Sequence, residues 1–432
     1  MTMIFLQHLK TIRLFNKGLL FVFLFCCNSS FSATILVPMD ETQTDHLRAY
    51  GVAYRALDKG FIMEWLLNYR GGSFLFPQET GIEEDLILSR VSYKIIPDSK
   101  VEQIKSEIAQ PEVNMEVVQL EKAPKIAVYT PGGKQPWDDA VTLVLTYAEI
   151  PYTEIYDSAV VMGVLPEYDW LHLHHEDFTG QYGKFYKNYH TAGWYQKQVR
   201  ESEASAKMLG YAKVSAMKLS VAIKIKEFVA GGGFLFTMCS GTDSYDIALA
   251  AYNTDICDVI YDYDPAEPDY QSKLDYYQGF AFYNYTIVKD PLEYGYSDID
   301  GSDDHRTLGE SLDKFFLFEF SAKWDIVPTM LCQNHTLEIN GFMGQTTDFR
   351  TEFIRPDVLI MGDNKALGTA RYLHGEFGEG TWTYYGGHDP EDYQHFVGDP
   401  PTDLSLHPNS PGYRLILNNI LFPAAKKKKR KT

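Results

Sequence analysis

Cysteine is scarce in this sequence. Five occur in 432 residues, and two of these, Cys26 and Cys27, sit in an apolar leader. Cys239, Cys257 and Cys332 are too few to build a disulfide scaffold, even in an oxidising compartment. Cys257 and Cys332 can pair, leaving Cys239 as the free thiol, although parity alone does not decide which is unpaired. Cations are also short. Setting aside Lys10, Arg13 and Lys17 of the leader leaves 36 Lys and Arg against 58 Asp and Glu, a balance of −22. Such a chain repels nucleic acid, so nucleic acid is excluded as a partner. After the leader there is no apolar run long enough to span a bilayer, so no transmembrane segment is expected.

What is present begins with that leader. Three cations, the run "GLLFVFLFCC" and then "NSSFSA" over residues 1–33 read as a secretory signal peptide cut after Ser32 or Ala33. An exported protein follows. Cys26 or Cys27 as a lipid acceptor lacks the small residue expected before it. At the other end, "KKKKRKT" over 426–432 reads as a solvated basic tail.

About 400 residues exceed what one core usually holds, so two domains, or one domain with large insertions, are expected. Residues 34–120 read as a small α/β lobe: strand "TILVP", helix "TDHLRAYGVAYRALDKG", strands "FIMEWLLNY" and "GSFLF", then a charged, proline-bearing linker from "IPDSKVEQ" to "QLEKAP". Residues 125–425 alternate strand and helix: "KIAVYT", helix "WDDAVTLVLTYAEI", "YTEIYD", "YDWLHLHH", a single long helix from Ser205 to Ala230, and strand "GFLFTM". That order predicts an α/β domain with a mostly parallel sheet and helices on both faces. Residues 253–320, rich in Tyr and Asp, lose the rhythm and read as an insertion or cap. Strand "DVLIMG" and the antiparallel pair "TARYLHGEF" and "GTWTYYGGH" follow.

One stretch carries the chemistry. In "FLFTMCSGTDSYDIALAA" a buried strand delivers Cys239 to a sharp turn that opens a helix. Helix amides and the positive end of the macrodipole stabilise a thiolate there. The Ser240 amide points where an oxyanion would form, and Gly241 permits close helix–strand approach. The base must come from elsewhere. His388 in "TYYGGHDPED" ends a later strand, with Asp389 or Glu391 near enough in sequence to orient its ring.

These motifs resemble those of the class I glutamine amidotransferase-like superfamily, over somewhat more than half of the chain. The family pattern is strand, Gly-x-Cys-x-Gly elbow, helix, and a later His followed by Glu. Here Thr237 replaces the first glycine, and the glutamate follows His388 by three positions instead of two. The resemblance implies a flavodoxin-like fold, a Cys239 nucleophile, and a second oxyanion donor from a glycine-rich loop. The candidates for that loop are Gly132 and Gly133, or the "HHEDFTGQYG" segment with His175. It also implies a small amide or peptide as substrate, with no cofactor and no metal. A non-catalytic binding or surface-assembly protein on the same fold is the alternative class.

"SGTDS" also resembles the pyrophosphate loop Ser-Gly-Gly-x-Asp-Ser of asparagine synthetase B, which implies an ATP-dependent, glutamine-hydrolysing enzyme. The loop is one residue short, and the βα units precede it instead of following. "WLHLHHED" sets His172 and His174 on one strand face with His175, Glu176 and Asp177 just beyond, a pattern open to a divalent metal, a plain hydrogen-bonded network or a substrate-facing loop. "SDIDGSDDH" departs from calcium-loop spacing and reads as a solvated acidic turn. The 30 Tyr, 26 Phe and 6 Trp suit a core or an aromatic cleft for sugars or peptides.

Overall fold

The computed structural model describes residues 33–133 and 135–425. The leader with Cys26 and Cys27, and the basic tail, lie outside the described residues. A five-stranded antiparallel sheet opens the chain, in the order Lys94–Pro97, Ala33–Val37, Ser73–Pro77, Met63–Leu67, Glu116–Leu120. Side-chain alternation divides it into two faces. Ile35, Val37, Trp65, Phe74 and Phe76 pack with the helix His46–Asp58, while Leu36, Leu66 and Leu75 pack with Val101, Ile104 and Ile108 of the helix Asp98–Ile108.

The stretch expected to be a linker is therefore structured. It holds that second helix and both edge strands. Pro97 serves as the N-cap and Pro111 lies past the helix end, two places where proline breaks nothing. Only three helix residues are buried, so the apolar period is diluted by charge.

The second sheet has ten strands. Five are mutually parallel, in the order Gly380–Tyr385, Phe234–Met238, Trp170–Leu173, Ile126–Tyr129, Thr153–Ile155. Beyond Gly380–Tyr385 the sheet continues antiparallel through Thr369–Phe377, Leu359–Asn364, Lys314–Leu317 and Glu338–Asn340, with Phe349–Arg350 paired beside Thr369–Phe377. The protein is thus mixed α/β, with a half-parallel sheet instead of a mostly parallel one. The strand Lys314–Leu317 also shows that the Tyr/Asp-rich segment gives up its last residues to this sheet.

Helices cover both faces. Val221, Ile225 and Val229 of Val214–Ala230 meet Ala127, Leu171 and Leu235 on one side. Val141, Val144 and Leu145 of Ala140–Tyr147, with Leu415 and Ile416 of Pro411–Leu421, meet Val128, Phe236 and Met238 on the other. The second of these cores continues into the small sheet through the helix His46–Asp58. Arg414 reinforces the junction, donating to the carbonyls of Met39 and Gly71.

Two helices differ from expectation. The long one is two, Gly193–Met208 and Val214–Ala230, broken where Gly210 takes φ +86°. The helix expected from Trp137 starts at Ala140, because Asp139 caps it by accepting from the amides of Val141 and Thr142 at 2.8 and 2.9 Å. Trp137 and Asp138 are left on the approach loop, at the carboxyl edge of the parallel strands. No helix among the described residues is long and apolar enough to cross a membrane.

Candidate functional site

The strand Phe234–Met238 lies between two parallel neighbours, so its carboxyl end opens at the middle of the sheet edge. Cys239 follows at φ +51°, ψ −142°, a conformation that favours glycine, and the helix Ser240–Ala250 begins at once. Gly241 is required by proximity: a Cβ there would lie 2.0 Å from the carbonyl oxygen of His174, on the loop after the adjacent strand. The sheet edge and the helix start are thereby pressed together, with the sulfur at the crease.

A loop from the antiparallel half completes the crease. The Gln345 amide donates to Cys239 Sγ at 3.2 Å, and Thr346 Oγ1 donates to Asp243 Oδ1 at 2.8 Å. The same loop holds the approach to His388, because the amides of Gly387 and His388 donate to the carbonyls of Thr346 and Met343. Two strand ends far apart in sequence are thus locked to one another.

His388 faces the sulfur, and its Nε2 donates to Asp138 Oδ1 at 3.2 Å. A nitrogen of His388, a nitrogen of His174 and Cys239 Sγ all lie within 4.8 Å of one another. Burial alone would lower the His388 pKa. The bond to Asp138 and the neighbouring Cys239 sulfur outweigh it and push the imidazole up to about 10. Asp138 responds in the opposite sense: burial works to raise it, yet His388 and His395 hold it below the usual carboxylate range. His395 Nε2 is also 3.2 Å from Asp138 Oδ1, and its ring stacks on that of His388.

The carboxylate behind His388 is therefore Asp138, and neither Asp389 nor Glu391 has that role. Asp389 is occupied by the Glu391 amide at 2.9 Å and the Thr402 hydroxyl at 2.7 Å. Glu391 turns away to His407 at 2.9 Å. A tight turn after His388, closed by a bridge between Asp389 and Asp392, carries both acids off. The signal for Asp138 was in "WDDAV": once Asp139 is spent as a cap, the acid before it stands free at a strand's carboxyl end.

A cavity of about 240 Å³ opens over the sulfur, lined by Cys239, His388, His175, Trp137, Tyr294 and Arg306. Tyr294 comes from the Tyr/Asp-rich segment, which therefore does cover the site. His175 stands edge-on to Trp137 at 4.8 Å, and burial holds its pKa well below the ordinary histidine value. Gly132 and Gly133 are exposed and do not line this cavity, so they are not the second amide donor. The backbone amide that reaches the sulfur is that of Gln345, which sequence reasoning missed.

Comparison with known proteins adds little. No protein-family model and no curated protein matches the chain. Among solved structures, two cytoplasmic proteins of Salmonella typhimurium align at 11% and 12% identity. Each covers 70% of this chain and 100% of its own, with TM-scores of 0.33 and 0.32. A GH42 β-galactosidase aligns at 13% identity over 62% of this chain and 28% of its own, with a TM-score of 0.26. The geometry has to speak for itself.

It does so on the remaining expectations. Cys257 and Cys332 do not pair. Cys257 Sγ donates to the Thr179 carbonyl, Cys332 lies near that of Met361, and burial raises both thiols. The "SGTDS" segment is the first turn of a wholly buried helix, with Ser240, Thr242, Asp243 and Ser244 all 0% exposed. Burial, then Asp300, raises the Asp243 carboxyl to about 8. This turn is closed by protein atoms and offers no cradle for a diphosphate, which removes the structural basis of the synthetase comparison. The acidic turn holds no shared cation position either. Asp298 accepts from the Thr286 amide, Asp303 pairs with Arg306 and Asp304 with Arg350, while Asp300 is drawn inward to Ser302 and Thr347.

Proposed function

We propose that the protein is an exported, cysteine-dependent amide hydrolase with a class I glutamine amidotransferase-like arrangement of its parallel half. One observation carries the proposal: Cys239 sits at a strained strand-to-helix elbow, beside a histidine that is itself backed by a largely buried carboxylate. Outside that arrangement no described feature asks for positive φ at a fully buried cysteine. The leader supports export.

The chemistry follows from the positions. Sγ attacks the carbonyl carbon of an amide while His388, which Asp138 holds in its protonated form, keeps the proton of the Cys239–His388 pair. The oxyanion forms beside the Ser240 amide, which has no intrahelical acceptor at that position, and within reach of the Gln345 amide now resting on the sulfur. His388 gives that proton to the departing nitrogen as the C–N bond breaks. Water then cleaves the thioester, releasing the acid and restoring the thiol. A cavity of about 240 Å³ with aromatic walls suits a small amide or the side chain of a short peptide.

The test is alkylation of the native protein by iodoacetamide, with the labelled peptide identified. Cys239 should react ahead of Cys257 and Cys332, and His388→Gln or Asp138→Asn should slow it about a hundredfold and tenfold respectively. Ammonia release from a panel of small carboxamides should be lost in Cys239→Ser. If labelling is slow, spread over the three thiols and indifferent to His388→Gln, the elbow is a relic on a binding scaffold and the hydrolase proposal fails.

A further inference from the structure

The histidines of "WLHLHHED" are not explained by the thiol site. Asp139 uses Oδ1 to cap its helix, and Oδ2 is left facing two rings. His172 Nε2 and His174 Nδ1 each lie 3.3 Å from it. Neither nitrogen is in hydrogen-bond geometry with a partner among the described residues, and His174 Nε2 has none either. Both histidines are buried, at 0% and 1% exposure.

The tautomer of His172 sharpens this. Its Nδ1 lies 3.1 Å from the Phe236 carbonyl oxygen, which can only accept, so Nδ1 carries a proton. In the neutral ring the Nε2 lone pair then points toward a carboxylate oxygen, a repulsive contact unless a positive charge lies between them. A proton is one way to supply it. A proton shared between charged partners, however, draws nitrogen and oxygen to about 2.7–2.9 Å. Two ligands of one tetrahedral metal, with bonds of about 2.1 Å, stand about 3.4 Å apart. Both observed separations match the second figure. A ligating histidine whose other nitrogen donates to a backbone carbonyl is also the usual way a metal site fixes its ring.

We propose that Asp139 Oδ2, His172 Nε2 and His174 Nδ1 bind one divalent transition-metal ion of the zinc class. Two imidazoles and a carboxylate suit such an ion better than calcium or magnesium, which prefer oxygen. Three protein ligands leave a fourth position for water. The three side chains come from elements that the fold already fixes: a helix cap, a strand, and the loop pinned against Gly241. The site does not depend on whether Cys239 reacts, although His174 also borders the thiol group.

The test uses the full chain after dialysis against a chelator, titrated with Zn²⁺ in competition with a chromophoric indicator, and with Co²⁺ followed by visible absorption. One ion per chain should bind more tightly than about 100 µM. His172→Gln and Asp139→Asn should each weaken binding at least about tenfold. Asp139→Asn keeps the capping oxygen, so the fold should survive, as thermal melting will show. Cys239→Ser should leave the affinity unchanged. The proposal is overturned if the wild type binds no ion in that range. It is equally overturned if binding survives His172→Gln and vanishes in Cys239→Ser, which would place the ion on Cys239, His388 and His174 instead.

Discussion

The elbow at Cys239 makes a prediction about stability that is independent of any substrate. At φ +51°, ψ −142° a residue with a Cβ is held where glycine is nearly alone at ease, at a cost of about 1–3 kcal/mol. Compare Cys239→Ala with Cys239→Gly. Both lose the sulfur and its bond from the Gln345 amide, so those losses cancel between the two variants. At an unstrained buried position glycine would be the less stable by about 1.5 kcal/mol, from about 0.5–1 of backbone entropy and about 0.8 of methyl burial. Relief of strain offsets this. The glycine variant should therefore lie between about 0.5 kcal/mol below and about 1.5 above the alanine variant. Thr237, fully buried two residues earlier in the regular strand, supplies the control pair, Thr237→Ala and Thr237→Gly. Urea unfolding followed by tryptophan fluorescence gives the four stabilities. If the alanine–glycine difference at 239 matches that at 237 within about 0.5 kcal/mol, the elbow stores no strain, and its conformation is no argument for function.

Two further outcomes test how the site is held. Asp246, on the helix behind Cys239, accepts from the amides of Phe280, Ala281 and Phe282 and from the Tyr384 hydroxyl, at 2.7 to 3.0 Å. Asp246→Ala leaves these donors buried and should cost about 4 kcal/mol, with early proteolytic cuts between 253 and 313; a loss below about 1 kcal/mol would refute that anchoring. His305 is buried, which would lower its pKa, but Asp313 and Asp348 raise it to about 9 from 6.5. Its contribution is full below pH 6.5 and lost as pH rises through 9, on the order of 3 kcal/mol. Chemical unfolding across that range should show the decline in the wild type and a flatter profile in His305→Gln, and equal slopes would sink the account.

Much of the parallel half was legible because most of its strands are short apolar runs, and each deposits its next residue at one edge. Cys239 and His388 could be matched on that ground alone. The antiparallel half was hidden. Lys314–Leu317 exposes Phe316 and sits among acidic residues, so its alternation is too brief to stand out. The edge strands of the small sheet were masked likewise, by the charges of the helix between them.

The acid behind His388 was illegible for a different reason. Sequence proximity favoured Asp389 and Glu391, but a backbone turn decides direction in two residues, and here it turns both away. Asp138 lies 250 positions from His388 and reaches it only because Asp139 stops the helix one residue later. That cap has two consequences from one side chain. Its Oδ1 fixes where the helix begins, which frees Asp138 for His388, and its Oδ2 faces His172 and His174. Replacing Asp139 by serine, which caps equally well through a single oxygen, should therefore spare the Cys239 labelling rate while abolishing metal binding. A parallel loss of both would mean that the two groups are one site.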